Sequence, residues 1–96
     1  MTTECRIKCK IRNGAFDEEM IARIPIVDPA GNDAEAECLA YGPSVEVSGE
    51  RRGQTETDGI LRAYLLETRD NLAAVVLPQP TFQNGPSVVV RRSNLL

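Results

Sequence analysis

The sequence predicts a small all-β domain, and three observations lead to that prediction. Short aliphatic and β-branched segments alternate with clusters of Gly, Pro, Asn and Asp about every ten residues. The N-terminal segment alternates apolar and basic residues with a period of two. The chain of 96 residues is long enough for one core, so we expect one domain over 1–96. We predict a small antiparallel barrel of SH3-like or OB-like size, or a sandwich, with about five to seven short strands.

The first predicted strand shows the clearest alternation. Its apolar positions lie on one face and its basic positions on the other: Cys5, Ile7, Cys9 and Ile11 against Arg6, Lys8, Lys10 and Arg12. Asn13-Gly14 follows, a pair typical of the two-residue type I′ hairpin turn. The segment therefore predicts a β-hairpin with one buried face.

This turn also predicts a register, with Arg12 paired to Ala15. The expected cross-strand pairs are Ile11 with Phe16, Lys10 with Asp17, Lys8 with Glu19 and Ile7 with Met20. Glu18 opposite Cys9 is the one mismatch. The second strand then continues to Ile26, and Pro25 places that stretch at a sheet edge or a bend.

Turn-forming residues divide the rest of the chain. Residues 28–33 predict a loop, 35–41 and 45–47 predict strands, and 48–58, which contain no apolar residue, predict an exposed loop. Residues 60–66 predict a strand, because 68–71 resemble a hairpin loop leading into a strand over 72–77. The alternative is an α+β fold with one helix near 59–70, since Ile60, Leu61, Tyr64 and Leu65 also form a helical stripe. A last strand is expected over 87–92.

The composition argues against common catalytic sites. The sequence has no histidine, which removes His-dependent nucleophile activation and His-ligated metals. Cys5 and Cys9 lie roughly 13 Å apart on one straight strand, too far to share a metal ion. We therefore expect no enzyme activity, no metal and no cofactor. Three cysteines and no export signal indicate free thiols in a reducing, cytoplasmic compartment, and no apolar run is long enough to span a membrane.

Two binding hypotheses remain, together with a third possibility. The first is a protein-interaction module, with Phe82 in the proline-rich segment 78–86 as an exposed anchor; the simpler interpretation has Phe82 cap the end of the core. The second is nucleic-acid or phosphate binding through Arg51, Arg52, Arg91 and Arg92, which the net charge of −3 disfavours. The third is a structural subunit of an oligomer, because an open strand edge invites pairing.

Overall fold

The computed structural model describes residues 3–16, 19–47, 56–83 and 85–96. Within these residues, seven strands form one antiparallel sheet that curls into a half-barrel, which confirms the all-β prediction. The strands are β1 (Thr3–Asn13), β2 (Met20–Val27), β3 (Asp33–Ala40), β4 (Val45–Val47), β5 (Thr57–Arg69), β6 (Leu72–Val76) and β7 (Ser87–Arg91). Single-turn 3₁₀ helices lie at Gly42–Ser44 and Arg92–Asn94.

The sheet has the strand order β3-β2-β1-β5-β6-β7, and β4 pairs with the first part of β5. The end of the chain closes part of the curl onto β1. Leu95 forms a bridge with Ile7, and the amide of Leu96 donates to the carbonyl of Arg6 at 2.9 Å. The Asn94 side chain donates to the carbonyl of Lys8 at 2.9 Å. The last described residues therefore form a seam with the first strand.

The core is aliphatic and contains none of the aromatic residues. Alternate positions of the strands turn inward, as the period-two pattern predicts for β1. The largest fully buried side chains are Ile7, Ile11, Ile24, Leu61, Val75, Val90 and Cys38. All four aromatic side chains, Phe16, Tyr41, Tyr64 and Phe82, are exposed. The bulkiest apolar groups of this chain are therefore on its surface.

The predicted hairpin register is wrong. The structure pairs Ile11 with Ala22 and Asn13 with Met20, so a longer loop replaces the two-residue turn. The amide of Gly14 donates to the carbonyl of Glu19 at 2.8 Å and closes that loop. The observed register differs from the predicted one by an even number of residues, so the same side chains of each strand still point toward the core. The observed register buries Ala22 rather than Phe16, and the mismatch of an acid opposite Cys9 disappears.

The predicted strand over 60–66 is confirmed, and the helix alternative near 59–70 is wrong. This segment belongs to β5, which pairs with β1 on one edge and with β4 and β6 on the other. Its length depends on these partners, because pairing on both edges satisfies the backbone groups that a helix would satisfy internally. The predicted 48–58 loop extends too far, since Thr57 and Asp58 are in β5; residues 48–55 lie outside the described residues.

Candidate interaction surfaces

The structure does not bring the described arginines of the predicted anion site together. Arg91 forms an ion pair with Asp33 at the start of β3, with 2.8 Å between its Nη2 and Oδ1 of the acid. Arg92 donates through Nη1 to the carbonyl of Asp70, in the turn between β5 and β6, at 3.0 Å. Arg51 and Arg52 lie outside the described residues. Arg91 and Arg92 therefore bind two different elements of the fold itself.

Phe82 projects from the outer edge of β3 and does not cap the core. Thr81 forms a bridge with Cys38, and the amide of Phe82 donates to the carbonyl of Glu37 at 2.9 Å. Successive side chains of an extended segment point to opposite faces, so the two neighbours separate. Thr81 is 7% exposed and Phe82 is 55% exposed. The interpretation of Phe82 as a core cap is thus wrong, because the segment pairs with β3 and buries the threonine instead.

A small open pocket lies beside the Phe82 ring. We name it the Phe82 pocket, and its lining residues are Arg23, Glu35, Glu37, Phe82 and Gln83. Arg23 on β2 faces Glu37 on β3 across the sheet, and Glu35 follows on the same outer face. The pocket thus combines an aromatic ring with two carboxylates and one guanidinium. Outward alternation of β2 and β3 places all three charges on one surface.

Each nitrogen of the Arg23 guanidinium donates to an acid. It donates through Nε to Glu56 at 2.9 Å and through Nη2 to the same carboxylate at 2.5 Å, while Nη1 donates to Glu35. Arg12 extends the network by pairing with Glu37. Hydrogen bonds from Arg23 lower the pKa of Glu56, and burial acts in the opposite direction without reversing the change. These two arginines and three glutamates give the network an excess of one negative charge.

A second surface, which sequence reasoning missed, lies on the outside of β5, β6 and β7. Cross-strand neighbours on this side are Tyr64 with Val76, and Ala74 with Val89. The register shifts between Leu65 and Glu67, and the extra residue Leu66 is exposed at this bulge, two residues after Tyr64. We name this surface the apolar face: Tyr64, Leu66, Ala74, Val76 and Val89. Tyr64 is 49% and Leu66 51% exposed.

The apolar face could not be separated from the core by pattern alone. The run Leu72–Leu77 has no polar residue, which is also the pattern of a strand buried on both faces. In the structure only the odd positions Ala73, Val75 and Leu77 are buried.

The three thiols are free and lie in or against the core. Burial raises the pKa of Cys9 to about 12, and the neighbouring Cys38 adds to that rise. Burial raises the pKa of Cys38 to about 11. Both thiols therefore stay protonated near neutral pH, where the thiolate is the reactive form. Among the described residues, no group of three acidic, cysteine or histidine side chains is close enough to hold a metal ion.

No helix within the described residues is both long and apolar enough to cross a bilayer. In comparisons with known proteins, no family model matches the chain, and neither a curated protein nor a solved structure matches it.

Proposed function

We propose that this chain is a non-enzymatic protein-interaction module whose main contact surface is the apolar face. The observation that supports the proposal is the exposure of Tyr64 and Leu66 on β5 and of Val89 on β7, the two strands that flank β6. Contiguous exposed apolar patches on small domains commonly mark interaction sites. Aromatic side chains are also enriched at the centres of interfaces.

The surroundings of the apolar face resemble the rim of an interface. Glu67 lies opposite Ala74 and Arg69 lies opposite Leu72, so charged groups border the apolar residues along β5. A polar rim around an apolar centre excludes water from the contacts that supply most of the affinity. The free thiols fit a reducing compartment, and we place the module in the cytoplasm on that basis.

Site-specific photo-crosslinking tests this proposal. A benzoylphenylalanine is introduced at position 64 or 66, and the purified protein is illuminated in lysate of the native organism. We expect both positions to give a covalent product with the same protein. The matched control carries the crosslinker at Tyr41, an aromatic position that is also exposed but follows β3, outside the apolar face.

The products separate the competing functions. A shared heterologous protein at positions 64 and 66, missing at 41, supports the interaction module. If the only product is a crosslink to a second copy of this chain, the oligomer-subunit hypothesis replaces the interaction-module hypothesis. A nucleic-acid adduct would favour the nucleic-acid hypothesis. Equal or no products at all three positions would overturn the proposal.

A further inference from the structure

The charged groups that line the Phe82 pocket favour a cation over an anion. All three nitrogens that Arg23 presents are occupied by the carboxylates of Glu35 and Glu56. Three of the five N–H donors of this guanidinium are thereby engaged, and the neighbouring carboxylates repel a phosphate or a carboxylate from outside. The pocket also has free hydrogen-bond acceptors. Glu35 and Glu37 each pair with an arginine through Oε2, so Oε1 of each can accept a hydrogen bond from a ligand.

The aromatic ring adds a second element of cation recognition. The face of a phenyl ring attracts a cation within about 6 Å of its centre, most often an arginine guanidinium. The backbone hydrogen bond from Phe82 to Glu37 anchors the segment that carries the ring, and the ring lines the same pocket as both carboxylates. The hydroxyl of the buried Thr81 donates to the carbonyl of Gly85 at 3.1 Å and holds the segment from behind. The backbone that carries the ring is therefore held in place before any ligand arrives.

The charge balance points the same way. Glu35, Glu37 and Glu56 outnumber Arg12 and Arg23 by one, and Glu35 has the most exposed side chain of the three glutamates, at 54%. A planar guanidinium can stack on a ring and donate in its own plane to a carboxylate at the same time. A point-charge ammonium satisfies only one of these geometries well. The combination favours arginine over lysine.

We propose that the Phe82 pocket binds an arginine side chain of a peptide segment, with its guanidinium over Phe82 and donating to Oε1 of Glu35. This inference rests on the proposed function, since it supplies a second contact of the interaction module. It adds the chemical class of the partner residue. Gln83 lines the same pocket and supplies a neutral wall.

Amide NMR with defined peptides tests the pocket directly. The probe is acetyl-Thr-Val-Arg-Val-Thr-amide, and the matched peptide carries citrulline, which keeps the shape of arginine but not its charge. We expect the arginine peptide to shift the amides of Glu35, Glu37, Phe82 and Gln83. Its Kd should be lower than that of the citrulline peptide by about fivefold or more, given the size of exposed cation–π and charge-assisted contacts.

Three variants define the result. Glu35→Gln should weaken binding of the arginine peptide and leave the citrulline peptide unchanged, while Phe82→Ala should weaken both. Phe16→Ala alters an exposed aromatic outside the pocket and should change nothing. Three outcomes would each overturn the inference. The two peptides could bind equally well, the amide shifts could fall outside the Phe82 pocket, or no amide could shift at millimolar peptide. Crosslinking through positions 64 and 66 would then still stand, so the two failures are distinguishable.

Discussion

Gly59 shows how a single missing side chain permits the sheet to pack. It is buried in β5, opposite Cys9 on β1 and opposite Val47 on β4. A Cβ atom at this position would lie 2.4 Å from Cγ1 of Ile11 and 3.0 Å from the carbonyl oxygen of Glu46. One of these atoms belongs to the backbone and the other to a fully buried side chain. Neither can move without disturbing the core.

We therefore expect Gly59→Ala to lower the free energy of unfolding by about 1–3 kcal/mol through overpacking. Urea unfolding monitored by circular dichroism measures the change. Gly42→Ala is the matched control, because nothing lies within 4 Å of its added Cβ. Its effect should stay within about 0.5 kcal/mol. Similar losses in both variants would contradict this account of the packing.

The buried thiols predict a loss of stability at alkaline pH. In the unfolded chain the thiol of Cys9 ionises near pH 9.0, whereas burial raises its pKa to about 12 in the fold. A raised pKa gives stability that is fully present below the unfolded value and is lost as the pH rises toward the folded value. The free energy of unfolding should therefore fall between about pH 9 and pH 12.

Urea unfolding across this range compares the protein with Cys9→Ala. The variant should be less stable near neutral pH, because it leaves a small cavity, but its stability should fall less steeply above pH 9.0. Cys5→Ala, which removes a half-buried thiol, should keep most of the original slope. Parallel curves for all three proteins would exclude Cys9 as a source of the pH dependence.

At the scale of elements, the hairpin shows why a local turn preference can lose to packing. Asn13-Gly14 favours a tight turn, and the polar faces of either register can form ion pairs. The observed register instead gives Lys10 an acid from β5, Asp58, and leaves Glu19 in the loop. The tight two-residue turn occurs between β5 and β6, at Asp70-Asn71, where Asp70 adopts a φ of 55°. Packing against strands that are distant in sequence therefore determines the register, and the Asn13-Gly14 pair alone cannot predict it.

The bulge in β5 predicts which residue the strand can lose. Leu66 is the extra residue where the β5–β6 register shifts, so its deletion restores a regular ladder from Leu65–Val75 to Glu67–Ala74. We expect the deletion variant to fold cooperatively, with a free energy of unfolding within about 1 kcal/mol of the parent. It should also expose a smaller apolar face.

Deletion of Arg62 is the control for this experiment. Arg62 is exposed like Leu66 but lies in continuous register with β1, opposite Arg6. Removing Arg62 turns the residues between position 62 and the bulge to the opposite face of the sheet. The buried Ala63 is one of these residues, so the deletion should abolish cooperative unfolding. Thermal unfolding followed by circular dichroism distinguishes the two. If both deletion variants unfolded cooperatively, the bulge at Leu66 would not explain why the strand can lose a residue.

At the scale of the whole molecule, the seam between Leu95 and Ile7 joins the last residues to the first strand. Removing residues 94–96 loses the half-buried Leu95 and two hydrogen bonds to β1. We expect a loss of about 2–4 kcal/mol in the free energy of unfolding, from apolar burial and hydrogen bonding together. Leu96→Ala, which alters an exposed side chain and keeps the amide, should change it by less than about 0.5 kcal/mol. Urea unfolding measures both.

The sequence supported the fold class far better than the surfaces. Alternation in β1 and the short apolar segments later in the chain predict strands wherever one face is buried. The same local patterns carry no information about the bridge from Leu95 to Ile7, which joins the two ends of the chain. They also cannot separate the two apolar faces of β6. The sequence indicates Phe82 as a candidate residue, but its exposure depends on pairing with Glu37, which is distant in sequence.

The seam has a consequence for the connectivity of the chain. The amide of Leu96 is bonded to Arg6, and Thr3 lies only about 10 Å further along an extended strand. A short glycine linker from Leu96 to Thr3 can therefore connect these two described residues, and the chain can be opened between Ala15 and Phe16, in the loop after β1. In this circular permutant the contact that closes the curl becomes a local hairpin. Folding should accelerate, because the entropy of bringing the seam together is reduced by the linker.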